Sequence, residues 1–330
     1  MGIRNLNQYL RDNCPNSIKC INISELSGKK IVVDISIYLY KYEGEHALLE
    51  NMYSMLSIFM YYKIIPIFIF DGKPPPEKRS LLTKRRECRE VAQEEYNKLK
   101  LRLDTTTDDT LNDAERQHIV ASMEQLQKQT VQLNKEKIET VKALIRAFGA
   151  TYSDAPGEAD ELCALLVIKK KVWACLSEDM DLFVYGCPRV LRYFSLISHT
   201  VVLYHSKGIY NEINMTHKEF QEVCVLSGTD YNSNDKNVSL SETISHFKRF
   251  KKVQSNPDYE YAEIKFYCWL AFNSQFTIDI ELLNNILQMF NIDHLPDQLN
   301  VFDDLMIENG PIRPDEIKQI MKEEDFIFCK

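Results

Sequence analysis

Residues 154–181 read DAPGEADELCALLVIKKKVWACLSEDMD and contain one predicted helix followed by one predicted strand. Pro156 and Gly157 indicate a turn that opens the helix, and the helix dipole favours acidic residues in a first turn. The apolar run 172–176 is long enough for one buried parallel strand. Acidic residues flank this unit on both sides: Glu158 and Asp160 open the helix, and Glu178, Asp179 and Asp181 follow the strand.

The positions of these acids predict a shared crevice. In open α/β sheets ligands bind outside the carboxyl ends of the strands, so both acidic groups can meet there. Carboxylates held close together repel one another unless a cation lies among them, and oxygen ligands of this kind suit Mg²⁺ or Mn²⁺. The alternative for this stretch alone is a solvent-exposed acidic helix start and an acidic loop.

The composition indicates a globular intracellular protein. The chain has 330 residues, 45% of them hydrophobic, which allows one large domain or two ordinary ones. No apolar run is long enough to span a membrane, and the charged N-terminal sequence MGIRNLNQYLRDN predicts an amphipathic helix and not a signal peptide. The nine cysteines include no C-x-x-C pair, which argues against a zinc site or a disulfide framework. We therefore do not expect secretion.

The net charge of −8 argues against nucleic-acid binding at first sight. Most of that charge, however, comes from acids that are candidate metal ligands, and basic residues are concentrated elsewhere in the chain. The overall charge therefore does not decide whether the protein binds nucleic acid.

Two further predicted strands end in an aspartate. Residues 31–33 form a buried strand followed by Asp34, and residues 64–70 form another followed by Asp71 in FDGKPPP. Haloacid-dehalogenase-type phosphotransferases also place an Asp after the first strand, but they need a second acid two residues later, where this chain has Ser36. The recurrence of strand-terminal acids favours a single common site.

A basic helix is predicted directly after the three prolines that end the second of these strands. Lys78, Arg85 and Arg89 lie within about 20° of one line along this helix, and Lys84 and Arg86 flank them. Solvated basic helix faces are common, but a basic stripe beside an acidic crevice fits a phosphate backbone.

The same region forms a long helical excursion from the sheet. The helical pattern breaks over 103–112, and Asp113 then begins one long helix that reaches about Phe148. Residues 76–135 are thus predicted to leave the sheet and return, and an insertion of that length is usually functional or disordered. Its helical periodicity argues against disorder.

The remainder of the chain adds two strands and then mainly helices. Strands are predicted at 190–194 and 200–204, and a helix at 216–226 leads into SGTDY, which contains Asp230. Short helices are predicted at 259–272, 279–290 and 313–324, and a basic cluster consists of Lys248, Arg249, Lys251 and Lys252.

Six motifs, in order, resemble the flap endonuclease family of XPG-type structure-specific 5′ nucleases. They are MGI, VVDISIYLY, FDGKPP, DAPGEAD, SEDMDLFVYG and LSGTDYN, and they cover about residues 1–232. The resemblance implies an α/β, PIN-like 5′ nuclease fold, in which helices flank a central twisted, mostly parallel sheet and 76–135 form a helical arch. We expect a metal-dependent nuclease core over 1–232 and a helical C-terminal region over 233–330 with a degenerate helix–turn–helix segment.

The resemblance also implies roles for individual residues. Two Mg²⁺ ions, replaceable by Mn²⁺, would promote in-line phosphodiester hydrolysis. Lys78 and Arg85 match basic residues that face the scissile phosphate, Tyr40 matches an aromatic that stacks on a base near the cut, and Gly2 matches a residue close to the active site. The implied metal ligands are Asp34, Asp71, Glu158, Asp160, Asp179, Asp181 (also counted as catalytic) and Asp230. Further expected DNA contacts are Lys84, Arg86, Arg89, Lys248, Arg249, Lys251 and Lys252.

Three features depart from the family. After Asp230 the family carries a Gly-Ile-Gly hairpin that grips duplex DNA, often through K⁺, but this chain has no glycine there. Either duplex binding is altered on that side or residues 248–252 replace the hairpin, and K⁺ stays an open alternative. The segment from Tyr40 to Tyr53 is shorter than usual, and the final EEDFIFCK contains no sliding-clamp motif.

We expect a monomeric, Mg²⁺-dependent 5′ nuclease that acts on DNA flaps, nicks or ends in replication, repair or recombination. The alternatives are a 5′→3′ exonuclease of the same superfamily, an RNA-directed relative, and a non-cleaving protein that binds DNA structures. Neither a membrane nor a sliding clamp is an expected partner. The composition is compatible with an AT-rich genome, cellular or viral, so the expected location is the nucleus or a viral site of DNA replication.

Overall fold

The computed structural model describes residues 2–105, 113–232, 238–255, 264–292, 306–322 and 326. Several predicted features lie wholly or partly outside these ranges. They are the break at 103–112, the segment just after Asp230, the beginning of the helix at 259–272, and the final residues without a clamp motif.

Seven strands form one mixed sheet in the order β1-β7-β6-β5-β2-β3-β4. Neighbouring strands are parallel from β6 through β5, β2 and β3 to β4, whereas β7 is antiparallel to β6 and β1. The prediction of a mostly parallel sheet is therefore confirmed. The strands are β1 Ile18–Asn22, β2 Lys30–Asp34, β3 Ile65–Phe70, β4 Thr151–Asp154, β5 Ala174–Leu176, β6 Arg189–Ser195 and β7 Thr200–His205.

The sequence analysis did not predict β1 and β4, which form the two edges of the sheet. No residue of either strand is fully buried. Edge strands of this kind lack both the apolar run and the apolar–polar alternation from which strands are recognised.

Helices cover both faces of the sheet. The described helices are α1 Leu6–Asn13, α2 Ile35–Gly44, α3 Leu48–Tyr61, α4 Arg79–Thr105, α5 Asp113–Gln129, α6 Lys135–Ala147, α7 Ala159–Ile168, α8 Asp181–Val184, α9 Ser206–Glu212, α10 His217–Ser227, α11 Leu240–Gln254, α12 Phe266–Asn273, α13 Ile280–Met289 and α14 Pro314–Lys322. None of them is long and apolar enough to cross a lipid bilayer.

Side chains of the central strands alternate between two hydrophobic cores. Val32 and Cys175 face the core formed with α1, α7 and α10–α13, whereas Val33 and Leu176 face the core formed with α2, α3, α6 and α14. This alternation follows from the two-residue repeat of a strand. The described C-terminal helices thus pack into the same cores as the sheet, and the division of the chain at residue 232 stays a prediction.

The prediction of one long helix from Asp113 to Phe148 is wrong. The structure has two helices, α5 and α6, with residues 130–134 between them. Asn134 ends this break, because its side-chain oxygen accepts a 2.8 Å hydrogen bond from the backbone N–H of Lys137 and caps α6. Asparagine offers the backbone such a local bond and is therefore favoured at helix starts.

Candidate functional site

The carboxyl ends of three neighbouring parallel strands present the first acids of the site. Asp34 is the last residue of β2, Asp71 directly follows β3, and Asp179 lies three residues after β5. Adjacent strands are about 4.8 Å apart, so residues that terminate them are close neighbours. This end of the sheet, with the acids that adjoin it, is called the acidic crevice below.

A glycine contact positions the loop that begins α7 beside β3. Gly72 donates a 2.8 Å backbone hydrogen bond to Gly157, and a Cβ on Gly72 would lie 1.9 Å from the carbonyl oxygen of Ala155. Only glycine permits this approach. Asp71 can then accept a 2.9 Å bond from the backbone N–H of Ala159, which brings the start of α7 into the crevice.

A serine connects the acids of β2 and β5. The Ser177 hydroxyl donates to Asp34 at 2.8 Å and accepts the Asp179 N–H at 3.1 Å, and the Asp181 N–H in turn donates to Asp179 at 3.0 Å. The sequence analysis missed Ser177. The only indication in the sequence was its position, immediately before the acidic run SEDMD.

Burial and mutual repulsion disfavour the charged forms of these acids. Burial raises the pKa of Asp34 to about 7, and Asp71 and Asp179 add to the shift while the Ser177 hydrogen bond opposes it. Burial also raises the pKa of Asp160 and Asp181 well above the usual range, with Lys78 opposing the effect. Neighbouring Glu158 contributes to both shifts. Such perturbed carboxyls are typical of functional sites.

Lys78 is the buried cation among these acids. Its ammonium lies 2.7 Å from Glu158 Oε2 and 4.9 Å from the centre of the Tyr231 ring. Burial alone would lower the pKa of Lys78, but attraction to Asp160, Tyr231 and Glu158 raises it. The Tyr231 hydroxyl also donates to Glu158 at 3.2 Å, a role that the sequence analysis did not assign although Tyr231 directly follows Asp230.

The predicted basic stripe on one helix is wrong at its first residue. Lys78 belongs to a short 3₁₀ turn, Pro76–Lys78, that precedes α4, and it is 7% exposed. Arg85 does lie on α4 and donates to Asp230 at 2.9 Å. Lys78 thus contacts the acids from the turn, through Glu158, and Arg85 contacts them from the helix, through Asp230.

Gly2 touches the same group of acids. A Cβ at this position would lie 2.6 Å from Asp181 Oδ1 and 2.9 Å from Asp179 Oδ1. Its φ of 75° is also in the left-handed region that favours glycine. The chain start therefore forms one wall of the acidic crevice, next to the residues that follow β5.

All seven acids expected to bind metal are thus neighbours. Asp34 interacts with Asp71 and Asp179, Asp181 interacts with Asp179, Asp230 and Glu158, and Asp160 interacts with Glu158, Asp179 and Asp181. Within the described part of the chain, no three acidic, His or Cys side chains already form a metal-ligand set. Lys78 pairs with Glu158 and Arg85 with Asp230.

The residues nevertheless fit a divalent cation. Asp181 Oδ1 is buried and has no hydrogen-bond partner, which is a costly arrangement for a carboxylate unless a cation or proton offsets it. The donors are all carboxylate oxygens, the ligand type that Mg²⁺ and Mn²⁺ prefer. These carboxylates can bind hard divalent cations, and cations bound there would contact a phosphate group.

Tyr40 and two arginines of α4 line a cavity of about 600 Å³. Tyr40 is 49% exposed, and Arg86 and Arg89 line the same space together with the 130–134 connection. Arg86 pairs with Glu90, Arg89 donates to the Arg85 carbonyl, and Lys84 is exposed. An exposed aromatic ring beside guanidinium groups is an arrangement suited to a nucleotide.

Two groups of charged residues lie apart from these contacts. Glu178 turns away, since it accepts the Tyr193 N–H and lies 3.4 Å from buried Arg192. In the basic cluster on α11, Lys251 pairs with Glu219 of α10 at 2.6 Å. The other three members, Lys248, Arg249 and Lys252, are exposed.

Comparisons with known proteins identify a family. The XPG N-terminal domain matches residues 1–92, and the XPG I-region matches residues 149–230. Flap endonuclease 1 of Glycine max is 29% identical over 277 residues, which are 78% of this chain and 69% of that protein. Flap endonuclease 1-A of Xenopus laevis is 30% identical over 271 residues, 77% of this chain and 67% of that protein.

The fold is also found among solved structures. The catalytic core of Rad2 in complex with DNA substrate matches with a TM-score of 0.65, covering 98% of this chain and 94% of that one at 20% identity. The two XPG regions contain all seven acids of the crevice as well as Gly2 and both basic residues beside them. The chain therefore belongs to the flap endonuclease family of XPG-type structure-specific 5′ nucleases.

Proposed function

We propose that this family member is a Mg²⁺-dependent nuclease that cuts DNA at 5′ flaps or ends, with Mn²⁺ able to replace Mg²⁺. The observation that carries the proposal is the convergence of seven acids from distant segments around Lys78 and Arg85. Burying carboxylates that repel one another destabilises a protein. A protein that only bound DNA would have no use for that arrangement.

The seven acids would hold the ions: Asp34, Asp71, Glu158, Asp160, Asp179, Asp181 and Asp230. Bound divalent ions would supply an activated water and stabilise the leaving oxygen of an in-line displacement. Lys78, which is 8% exposed at its side chain, offsets the charge of the acids from within. Arg85, at 44%, is free to exchange Asp230 for the phosphate of a substrate.

The regions around the crevice complete the proposal. Tyr40 would stack on a base near the cut, which must unpair at a cost of a few kcal/mol. Residues 1–232 would form the nuclease core as a monomer, and exposed Lys248, Arg249 and Lys252 would contact duplex DNA. Action in the nucleus is part of the proposal, whereas plant and animal relatives give no support to a viral location.

A panel of labelled substrates tests this function. A 5′ flap, a nicked duplex, a blunt duplex and a single strand are incubated with Mg²⁺, with Mn²⁺ and with EDTA. We expect release of the flap or of short 5′ products with either metal and no cleavage in EDTA. Single nucleotides from duplex ends would indicate an exonuclease, and cleavage of only the RNA versions would indicate an RNA-directed enzyme. Tight flap binding without any product would overturn the proposal.

Substitution of Asp181 by asparagine links the test to the crevice. Asp181→Asn replaces a buried carboxyl whose charged form burial and neighbouring acids disfavour and whose Oδ1 has no hydrogen-bond partner, so the melting temperature in EDTA should be unchanged or higher. Flap binding should be largely kept while cleavage is lost. Asp12→Asn, an exposed acid on α1, serves as the control and should change neither property. Unchanged cleavage by Asp181→Asn would show that the reaction occurs elsewhere.

A further inference from the structure

The end of the sheet opposite the acidic crevice is lined by basic residues. The four adjacent strands β3, β2, β5 and β6 begin there, each preceded or opened by lysine or arginine. We call this surface the basic edge, and it consists of Lys29, Lys30, Lys63, Lys169, Lys170 and Arg189.

Hydrogen bonds between neighbouring strand starts hold the basic edge together. The backbone carbonyl of Lys29 accepts from the Ile65 N–H at 3.0 Å, and the carbonyl of Lys30 accepts from the Trp173 N–H at 2.7 Å. Arg189 donates to the Trp173 carbonyl at 2.9 Å. Since adjacent strands are about 4.8 Å apart, the four strand starts form a row of positive charge about 15 Å long.

The charges of this row are not neutralised within the described part of the chain. Lys63, Lys169 and Lys170 are exposed, and none of them forms an ion pair there. Lys29 and Arg189 instead lie 4.8 and 5.0 Å from the centre of the Trp173 ring. These two cations lie over the ring of Trp173, so the ring offers little apolar surface to a partner protein.

Two of the lysines adopt a backbone conformation that glycine would adopt at lower cost. Lys63 follows α3 with a φ of 56°, and Lys170 follows α7 with a φ of 60°. Both end their helix in the same motif, in which the next N–H donates five residues back. Glycine is usual at this position, as Gly149 is after α6. Attraction to the helix dipole is one explanation for lysine here, and contact with an external anion is the other.

We propose that the basic edge is a second binding surface for a nucleic-acid backbone. The proposal rests on the proposed action on DNA, which brings a polyanion longer than the crevice can hold. β2 runs from Lys30 to Asp34 between the two surfaces, so they are separated by roughly 13 Å of sheet. A strand held at the basic edge is therefore held apart from the cleavage site, and it would keep the enzyme on long DNA.

Nucleic acid fits this surface better than an acidic protein. Protein interfaces are anchored by aromatic and aliphatic side chains in pockets, and the ring of Trp173 is covered by cations. Lysines are point charges that suit evenly spaced phosphates. When they neutralise phosphates, counterions are released from the nucleic acid, which favours binding. Tyr61, two residues before Lys63 and 77% exposed, presents a flat ring on which an unpaired base could stack.

The test is the salt dependence of DNA binding by a triple variant, Lys63→Gly, Lys169→Ala and Lys170→Gly. Long fluorescent single strands and duplexes are titrated in EDTA at several salt concentrations. The slope of log K against log [salt] should fall by about 0.9 per lost phosphate contact on duplex and about 0.7 on single strands. Cleavage of a short flap substrate should be unchanged. The melting temperature should be unchanged or higher, because glycine suits both left-handed positions.

A matched control removes three exposed lysines from other surfaces, Lys19→Ala, Lys218→Ala and Lys318→Ala. An equal loss of slope in the control would overturn the proposal, because it would reduce the effect to net charge. Unchanged DNA binding with a lower melting temperature would also overturn the proposal, because it would show that these lysines only stabilise the ends of their helices. Loss of binding to polyglutamate, with DNA binding intact, would indicate an acidic protein partner instead. The digestion of flap DNA by the wild-type protein tests the proposed nuclease activity independently, so its failure can be distinguished from failure of the basic edge to bind DNA.

Discussion

Replacing Lys78 with methionine tests whether one buried cation stabilises the acidic crevice. The Lys78 side chain is 8% exposed, and its ammonium lies 2.7 Å from Glu158. Asp160 and Glu158 both attract it strongly enough to raise its pKa despite burial. Methionine keeps a flexible apolar side chain of similar length, so Lys78→Met removes mainly the charge.

The size of the effect follows from burial. Removal of one partner from a buried ion pair costs about 3–5 kcal/mol. We expect about 3 kcal/mol, at the lower end of that range, because the Glu158 side chain is 20% exposed and keeps its 3.2 Å hydrogen bond from Tyr231. At roughly 1.5 °C per kcal/mol for a chain of this length, the melting temperature in EDTA should fall by about 4 °C.

Two further measurements separate the crevice from general stability. Without Lys78 the acids repel one another more strongly, so Mg²⁺ should raise the melting temperature of the variant more than that of the wild type. Flap cleavage should fall by about 10²-fold, the usual effect of losing one cation or donor near a reacting phosphate.

Lys142→Met is the matched control. Lys142 is also a buried lysine with acidic partners, but its partners Glu139 and Asp154 are 64% and 58% exposed. Exposed partners regain water, so this variant should lose at most about 1 kcal/mol and keep full cleavage. A Lys78→Met protein with wild-type melting and wild-type cleavage would refute the electrostatic account of the crevice.

Three other predictions concern residues around the same crevice. Gly2→Ala would place a Cβ 2.6 Å from Asp181 Oδ1, so we expect about 10²-fold slower cleavage. The melting temperature should fall slightly, because the φ of 75° at this position disfavours alanine, and activity equal to wild type would show that the chain start does not border the reacting groups. Arg85→Ala breaks a pair whose arginine is 44% exposed, so stability should change by less than about 1 kcal/mol while cleavage falls by about 10²-fold, and equal losses in both would argue for a structural role. Burial lowers the pKa of His217, so the folded state is stable while this ring is neutral and loses stability as the pH falls below about 6.5, where the unfolded ring takes up a proton. His217→Gln should remove that part of the pH dependence in urea unfolding between pH 7 and 5, and an identical pH profile would contradict it.

Much of the fold could be predicted because buried strands have a strong signature. The runs that became β2, β3 and β5 are apolar and end at an acid or shortly before one, so both their existence and their ligand-facing ends could be inferred. The two edge strands could not, since few of their side chains are buried. The break between α5 and α6 was also missed, because a single capping asparagine outweighed an otherwise helical pattern.

The acids of the site were predictable from their sequence, but their supporting contacts were not. Asp34 and Asp181 are separated by 147 positions in the sequence, yet the order of the motifs was enough to group them. Ser177 and Tyr231 gave no comparable indication, because serine and tyrosine are common in loops and their partners are set by tertiary packing. The structure places Lys78 beside Glu158, among the acids with which it was grouped, but its burial was not expected.

The sequence alone determined which residues meet at the carboxyl ends of the strands, because parallel strands have one such end and the chain marks it with acids. Only the tertiary structure decided how those charges are balanced. Distances between side chains of distant segments set whether a carboxylate lies beside Lys78, beside Ser177 or, like Asp181 Oδ1, beside no hydrogen-bond donor. The opposite, basic end of the sheet likewise emerged only when the strand starts were placed side by side, since its lysines and its arginine come from four separate stretches of chain.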